Sequence, residues 1–175
     1  REEGTSLTHK PADPRRLARL ALLTAVALTI FLVEAQLPVL PIPGAKLGLA
    51  NIVTVYAVFV LGPGDALSIL LVRVFLGAVF SGQMSTFFYS LSGGFLCWVV
   101  LCVLRRFFSQ KQIWLLSPVS AVFHNLGQLL AAAALLQSWA VFAWLPYLLI
   151  AGIAAGLFTG LAAQFLLERL EKIQK

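Results

Sequence analysis

Long apolar runs, separated by short polar or proline-glycine segments, fill most of this chain. A membrane-spanning helix needs roughly 20 predominantly apolar residues. Six segments approach that length: Leu17–Val33, Leu47–Leu61, Ala66–Phe80, Phe87–Leu104, Pro118–Leu136 and Val141–Leu167. The pattern predicts an all-α membrane protein with six transmembrane helices at 17–167, between polar tails at 1–16 and 168–175.

The second and third segments leave one alternative open. Both are short, and only the tight turn Gly62-Pro63-Gly64-Asp65 separates them. Proline cannot continue a helix, and the flanking glycines allow the chain to reverse. A bundle of five spanning helices would require one of these two segments to be re-entrant.

Composition supports a membrane environment for the whole domain. The 175 residues are 60% hydrophobic and 11% charged, whereas soluble domains are about 45–50% apolar and about 25% charged. The net charge of +6 does not indicate a nucleic-acid partner, because the basic residues lie at the ends of apolar segments. The expected partner of this surface is the lipid bilayer.

Lysine and arginine positions predict the orientation, because cytoplasmic loops of membrane proteins are enriched in both. Basic residues lie before or at the start of the first helix, between the fourth and fifth helices, and after the sixth: Lys10, Arg15, Arg16, Arg19, Arg105, Arg106, Lys111, Arg169, Lys172 and Lys175. The opposite side has only Lys46. Both termini are therefore predicted to be cytoplasmic.

A proline-rich stretch between the first two helices is predicted to cover a binding site on the outer side. Pro38, Pro41 and Pro43 hold the backbone extended, and Gly44 releases it. Lys46 follows at a helix start whose dipole adds positive potential, and Asn51 lies further along the same helix. We expect this stretch to act as a lid and Lys46 and Asn51 to contact a ligand.

Arg73 lies near the middle of the third apolar segment. A charged side chain at that depth costs roughly 2.5–3.5 kcal/mol on translocon scales. Glu34, at the outer end of the first helix, is the nearest candidate counter-ion. Two interpretations stay open: a structural Arg73–Glu34 pair, and an anionic group of a ligand bound by Arg73.

A second polar group lies on the fifth helix. His124 and Gln128 are four residues apart and share a face, and Asn125 lies beside them. Together with Tyr89 on the fourth helix they are predicted to line a pocket that opens outward. The chain has two histidines, so no metal site is expected.

Small residues mark close helix contacts. Gly152, Gly156 and Gly160 recur every four residues on the sixth helix, a pattern that lets two helix backbones approach. Packing within the chain is the simpler interpretation. Ala21 and Ala25 form a similar pair on the first helix, which is expected to pack in the bundle or to receive another protein.

Motifs for catalysis are missing. The sequence has no GxSxG, HExxH or P-loop lysine motif. Its two aspartates, Asp13 and Asp65, cannot form an aspartate-rich magnesium motif for diphosphate chemistry. We therefore expect no enzymatic activity and no cofactor.

Five blocks in order along the chain resemble a known family. They are Pro43-Gly44-Ala45-Lys46-Leu47-Gly48-Leu49-Ala50-Asn51, Asp65-Ala66 with Arg73, Tyr89-Ser90-Leu91-Ser92-Gly93-Gly94, His124-Asn125-Leu126-Gly127-Gln128, and Leu145-Pro146-Tyr147-Leu148 with Gly152 and Gly156. The first block is similar to the signature of the Gx transporter family, which is often labelled heptaprenyl diphosphate synthase component I. The blocks cover about residues 38 to 160.

The family in turn resembles the substrate-binding S-components of energy-coupling factor (ECF) transporters in prokaryotic cell membranes. That resemblance implies six helices and an outward-facing pocket for a vitamin or related nutrient, covered by the loop between helices one and two. It also implies a transmembrane coupling protein and two cytoplasmic ATPases as partners. Ala21 and Ala25 fit the pattern that contacts the coupling protein.

Two further interpretations remain. The family label implies prenyl diphosphate metabolism, so the chain could be a membrane accessory subunit of isoprenoid or quinone synthesis. A purely structural anchor would leave Arg73 and the polar group on the fifth helix unexplained.

Overall fold

The structure, a computed structural model, describes residues 13–36, 48–82 and 84–173, and six α-helices make up most of these ranges. In chain order they are α1 (Pro14–Glu34), α2 (Asn51–Val60), α3 (Pro63–Ser81), α4 (Met84–Leu104), α5 (Ile113–Leu136) and α6 (Leu145–Ile173). Short 3₁₀ helices, Gln110–Gln112 and Trp139–Trp144, precede α5 and α6. No strand occurs in the described ranges, which confirms the predicted all-α membrane fold.

Five of the helices, all except α2, are long and apolar enough to cross a membrane. The α2 helix has 10 residues and is therefore about 15 Å long at the usual rise per residue. The second predicted segment is thus the one that falls short of a full membrane span.

The structure corrects the starts of three helices by four or five residues and places the end of α6 at Ile173, six residues beyond the predicted Leu167. The α5 helix begins at Ile113, five residues before the predicted start, and contains Pro118 near its beginning. Pro118 is the sixth residue of the helix, and it lacks the N–H that would bond the carbonyl of Trp114, so the helix continues past it without that bond. The α2 helix begins only at Asn51, after a turn, and α6 begins at Leu145, after a 3₁₀ helix.

Side-chain contacts at its two ends show that α2 runs antiparallel to α1. Beside the start of α2, Glu34 accepts hydrogen bonds from the backbone N–H groups of Gly48 and Leu49. Shortly after the end of α2, Asp65 forms a salt bridge with Arg16, near the start of α1. The segment from Gly48 to Asp65, which contains α2, therefore extends from the level of Glu34 at the end of α1 to the level of Arg16 near its start.

Nearly all described basic residues lie at one end of the bundle, which we call the basic end. The exception is Arg73, within α3; the others are Arg15, Arg16, Arg19, Arg105, Arg106, Lys111, Arg169 and Lys172. The cytoplasmic orientation of this end stays a prediction from the charge distribution.

Hydrophobic residues fill the half of the bundle that adjoins the basic end. The largest core cluster contains Val58 of α2, Ile69 of α3, Leu101 of α4 and Ile113 of α5. In the other half, the interior contains buried polar side chains instead: Glu34, Asn51, Arg73, Thr86, Ser90, His124, Asn125 and Gln128. The half that adjoins the basic end also contains buried hydroxyl groups, of Thr54, Ser117, Ser120 and Thr159, but the buried charged, imidazole and carboxamide side chains lie in the other half, which we call the polar interior.

Glycines on α6 allow close packing against α5. A Cβ atom on Gly156 would lie 2.5 Å from the Cα of Pro118, and one on Gly160 would lie 2.7 Å from the Cβ of Ser117. Gly152 faces Asn125 in the same interface. The three glycines therefore serve intramolecular helix packing, as the simpler sequence interpretation expected.

Candidate functional site

The polar interior is organised around the turn that leads into α2. Gly48 begins this turn with a φ of 83°, in the left-handed region that favours glycine. The backbone N–H of Asn51 then donates to the carbonyl of Gly48 at 2.9 Å, and that of Ile52 donates to Leu49 at 3.1 Å. These two hydrogen bonds fix the backbone that leads into the first turn of α2.

Glu34 supplies the acceptors that the first N–H groups of this turn lack. Its Oε1 atom accepts from the N–H of Gly48 at 2.6 Å, and its Oε2 atom accepts from that of Leu49 at 3.1 Å. The carboxylate is buried, with 4% of the residue exposed. A negative group at a helix N-terminus is stabilised by the helix dipole and by the unpaired backbone donors.

Gly48 also brings α2 against α5. A Cβ atom at this position would lie 2.8 Å from Cδ2 of His124 and 2.9 Å from Nδ2 of Asn51. Both distances are shorter than ordinary van der Waals contact. Only glycine allows the turn, the imidazole of His124 and the amide of Asn51 to meet so closely.

His124 and Gln128 form a pair on α5, as their spacing predicted. The Nε2 atoms of the two side chains lie 2.8 Å apart, within hydrogen-bond distance. Gly93 of α4 lies against both, because its Cβ position would be 2.9 Å from Cε1 of His124 and from Cγ of Gln128. The α4–α5 contact therefore holds this pair beside the start of α2.

Arg73 lies buried inside the same half of the bundle, with 2% of the residue exposed. Within the described part of the chain, its Nε and Nη2 atoms have no hydrogen-bond partner. Glu34 interacts with it electrostatically, yet the salt bridge among the described residues joins Arg16 to Asp65. The Arg73–Glu34 pair, one of the two interpretations that the sequence left open, is therefore present as a charge interaction without a direct salt bridge.

Asn51 also has unmatched hydrogen-bonding atoms. Both Oδ1 and Nδ2 lack a partner in the described ranges, although the residue is only 5% exposed. Among the described residues, single unmatched atoms occur in three more side chains: Nδ1 of His124, Oδ1 of Asn125 and Oε1 of Gln164. Buried polar atoms in native proteins are nearly always hydrogen-bonded, so each exception calls for an explanation. Asn51 offers one acceptor and one donor group beside the turn at Gly48.

Asn125 and Tyr89, the two remaining predicted site residues in the described ranges, are both buried. Asn125 faces α6, where its Nδ2 atom donates to the carbonyl of Leu148 at 2.7 Å. Its principal contact is therefore with the neighbouring helix. Tyr89 is buried on α4, in the same half of the bundle as Arg73.

Several predicted site residues lie outside the described residues. They are the lid residues Pro38, Pro41, Pro43 and Gly44 together with Lys46. Their roles stay predictions. The described part of the site is therefore formed by Asn51, Arg73, Tyr89, His124 and Gln128, with Glu34 and Gly48.

Ala21 and Ala25 are both exposed and lie at a groove between α1 and α3. The groove has a volume of about 490 Å³ and is lined by these alanines with Thr24, Leu28, Ser68 and Val72, among other residues. The alanine pair therefore lies on the surface of the bundle, where a partner helix can reach it.

Sequence reasoning missed two functions at the ends of α2. It treated Glu34 only as a possible counter-ion of Arg73, and it gave Gly48 no role. At the other end, Arg105 donates to the carbonyl of Val58 at 2.9 Å and Gln110 to that of Phe59 at 2.9 Å. The signal available in the sequence was the lack of capping residues in α2 itself.

The described residues contain no group of three or more His, Cys, Asp or Glu side chains that could hold a metal ion. The donors and acceptors in the polar interior are instead a guanidinium, an imidazole, three carboxamides, two hydroxyl groups and a carboxylate. Such a set can bind a small polar organic molecule through directed hydrogen bonds and charge.

An α-helical bundle with several apolar helices and a buried polar interior is consistent with a multi-pass membrane protein. Residues 23–166 match the family described as heptaprenyl diphosphate synthase component I. This match covers well over half of the chain, and the chain therefore belongs to that family, as the motifs between about residues 38 and 160 predicted. The match also includes most of α1. No curated protein and no solved structure matches the chain.

Proposed function

We propose that this chain is the membrane substrate-binding subunit, of S-component type, of an ECF importer. It captures a small polar or anionic nutrient in a pocket on the side of the bundle opposite the basic end. The observation that carries the proposal is the buried, unmatched pair of side chains Arg73 and Asn51 beside the start of α2.

The energetic argument favours a ligand over a structural role for these side chains. An unsatisfied buried hydrogen-bonding group costs about 1–3 kcal/mol, and more when the group is charged. A protein that needs only a stable bundle gains nothing from this arrangement. A ligand that supplies acceptors to Arg73 and a donor and an acceptor to Asn51 recovers that free energy on binding.

The groove at Ala21 and Ala25 supports a partner in the membrane. Small residues allow close backbone approach between helices in a bilayer, and both alanines are exposed at the α1–α3 groove. We propose that a transmembrane coupling protein docks there and that two cytoplasmic ATPases supply the energy. The chain itself is proposed to have no catalytic activity.

The family description favours a second candidate function, as a membrane accessory subunit of prenyl diphosphate synthesis. The two functions require different partners. Affinity purification of the tagged chain from its native membranes distinguishes them. We expect a coupling protein and ATPases to co-purify; recovery of a soluble prenyl synthase without them would favour the second function.

Two matched variants make this purification specific. Leucine at both Ala21 and Ala25 fills the α1–α3 groove and should abolish recovery of the coupling protein. The control, Ala134→Leu, alters a different apolar groove, between α4 and α5, and should leave recovery unchanged. Equal recovery with both variants would show that the α1–α3 groove is not the docking surface.

A further inference from the structure

The polar interior contains two positions at which an anionic group can be bound. One is the start of α2, where the backbone N–H groups of Gly48 and Leu49 point at the same acceptor residue. The other is the guanidinium of Arg73, whose Nε and Nη2 donors are unmatched among the residues that the structure describes. Both positions are shielded from solvent, because Glu34 and Arg73 are each less than 5% exposed.

The chain fills the first position itself. Glu34 places one carboxylate oxygen on each of the two N–H groups, which is the geometry a bound carboxylate or phosphate would adopt at a helix N-terminus. Of the carboxylates that the structure describes, Glu34 is the one that is buried. An acid group of a ligand could occupy this position only by displacing Glu34.

The second position remains available to a ligand. The Arg73 guanidinium has planar donors that suit a carboxylate or a phosphate, and no described carboxylate forms a salt bridge with it. Glu34 acts on Arg73 through charge alone. An additional negative group is therefore attracted by Arg73 and repelled by Glu34.

We propose that Glu34 sets the charge selectivity of the site: the ligand has a single acid group, which Arg73 binds, because Glu34 holds the second anion position. The amide of Asn51 then binds an uncharged part of the same ligand that offers both a donor and an acceptor, such as a carboxamide or a hydroxyl group. This inference rests on the proposed binding function and specifies the chemical class of its ligand.

Three small aromatic probes of similar size and different charge test the proposal. Benzamide is neutral, benzoate carries one negative charge, and phthalate carries two at neutral pH. Saturation-transfer NMR on the full chain in lipid nanodiscs detects weak binding of each probe. The variants are Arg73→Gln and Glu34→Gln; the latter keeps an acceptor for one N–H group of the turn and removes the charge.

Matched controls separate the site from the surface. Arg106→Gln removes a positive charge at the basic end, and Glu168→Gln removes an exposed negative charge on α6. Neither residue lies in the polar interior, and neither variant should change the order of probe affinities. Circular dichroism and size-exclusion chromatography establish that each variant is folded.

We expect the unmodified protein to prefer benzoate over benzamide and over phthalate. Arg73→Gln should lower benzoate affinity about tenfold, as expected for the loss of a charged hydrogen-bonding partner. Glu34→Gln should raise the affinity for phthalate relative to benzoate by a similar factor. If Glu34→Gln is unfolded, the double variant Glu34→Gln/Arg73→Gln is used in its place. Its affinity for phthalate should then be higher than that of the Arg73→Gln single variant.

Three results would overturn the inference: equal affinity for benzoate and benzamide, a preference for benzoate that survives Arg73→Gln, or an unchanged phthalate-to-benzoate ratio without Glu34. These results leave the proposed function standing if the purified chain still retains a nutrient and still recovers the coupling protein. Failure of the function itself would appear in that separate purification, whatever the charge preference of the site.

Discussion

Replacing Gly48 with alanine should disrupt the site through two separate effects. Gly48 has a φ of 83°, and residues that have a Cβ atom adopt this backbone conformation only at an energetic cost. The added methyl group would also lie 2.8 Å from Cδ2 of His124 and 2.9 Å from Nδ2 of Asn51. The first effect strains the turn, and the second forces two site residues to move.

The two contributions can be estimated separately. The left-handed conformation costs a non-glycine residue roughly 1–2 kcal/mol. Forcing an extra methyl group into a packed interior costs roughly 1–3 kcal/mol. Gly48→Ala should therefore lower the free energy of unfolding by about 2–5 kcal/mol and should weaken ligand binding, because His124 and Asn51 are displaced.

Gly82→Ala is the matched control, because it isolates the backbone strain. Gly82 also has a positive φ, 65°, but a Cβ atom there would meet nothing within 4 Å. Denaturant unfolding in detergent micelles, followed by circular dichroism, compares the two variants. If Gly48→Ala costs no more than Gly82→Ala, the close contact of Gly48 with His124 and Asn51 is refuted.

Three further predictions follow from the same contacts. Arg73→Met should abolish ligand binding, because it removes the unmatched guanidinium donors; a protein that still retains its small molecule after this substitution would contradict the role of Arg73. Gly156→Ala should destabilise the bundle by roughly 1–3 kcal/mol or more, because its Cβ would meet the backbone of Pro118. The control Gly64→Ala should not destabilise the bundle, because a Cβ atom there would meet nothing within 4 Å. If Gly156→Ala and Gly64→Ala lower the free energy of unfolding equally, the close packing of Gly156 against Pro118 is contradicted. Arg105→Ala should destabilise α2, seen as faster amide exchange at its last turn; unchanged exchange would contradict the capping role.

Much of the fold could be predicted because the bilayer imposes simple rules. Every backbone polar group inside lipid must be satisfied locally, so the apolar runs are read as helices with little ambiguity. The turn at Gly62 to Asp65 was predicted from proline and glycine alone, and α3 begins at Pro63. The start of α5 was missed, because Pro118 was taken as a boundary although it lies within the first turns.

The site was harder to predict, because its geometry depends on contacts between distant parts of the chain. Spacing was sufficient to pair His124 with Gln128, which are four residues apart on one helix. It could not place Glu34 on the backbone of Gly48, 14 residues later, because that contact depends on how α1 and α2 pack. The orientation of Asn125 towards α6 depends likewise on the close approach at Gly152.

The most direct test of the central claim is native mass spectrometry of the protein released from its own membranes. A binding subunit should retain a small polar molecule in stoichiometric amount, and that molecule should be lost from Arg73→Gln and kept by the control Arg106→Gln. A protein that retains no small molecule, or that retains the same molecule equally in both variants, would contradict the assignment of a ligand site to the buried interior around Arg73.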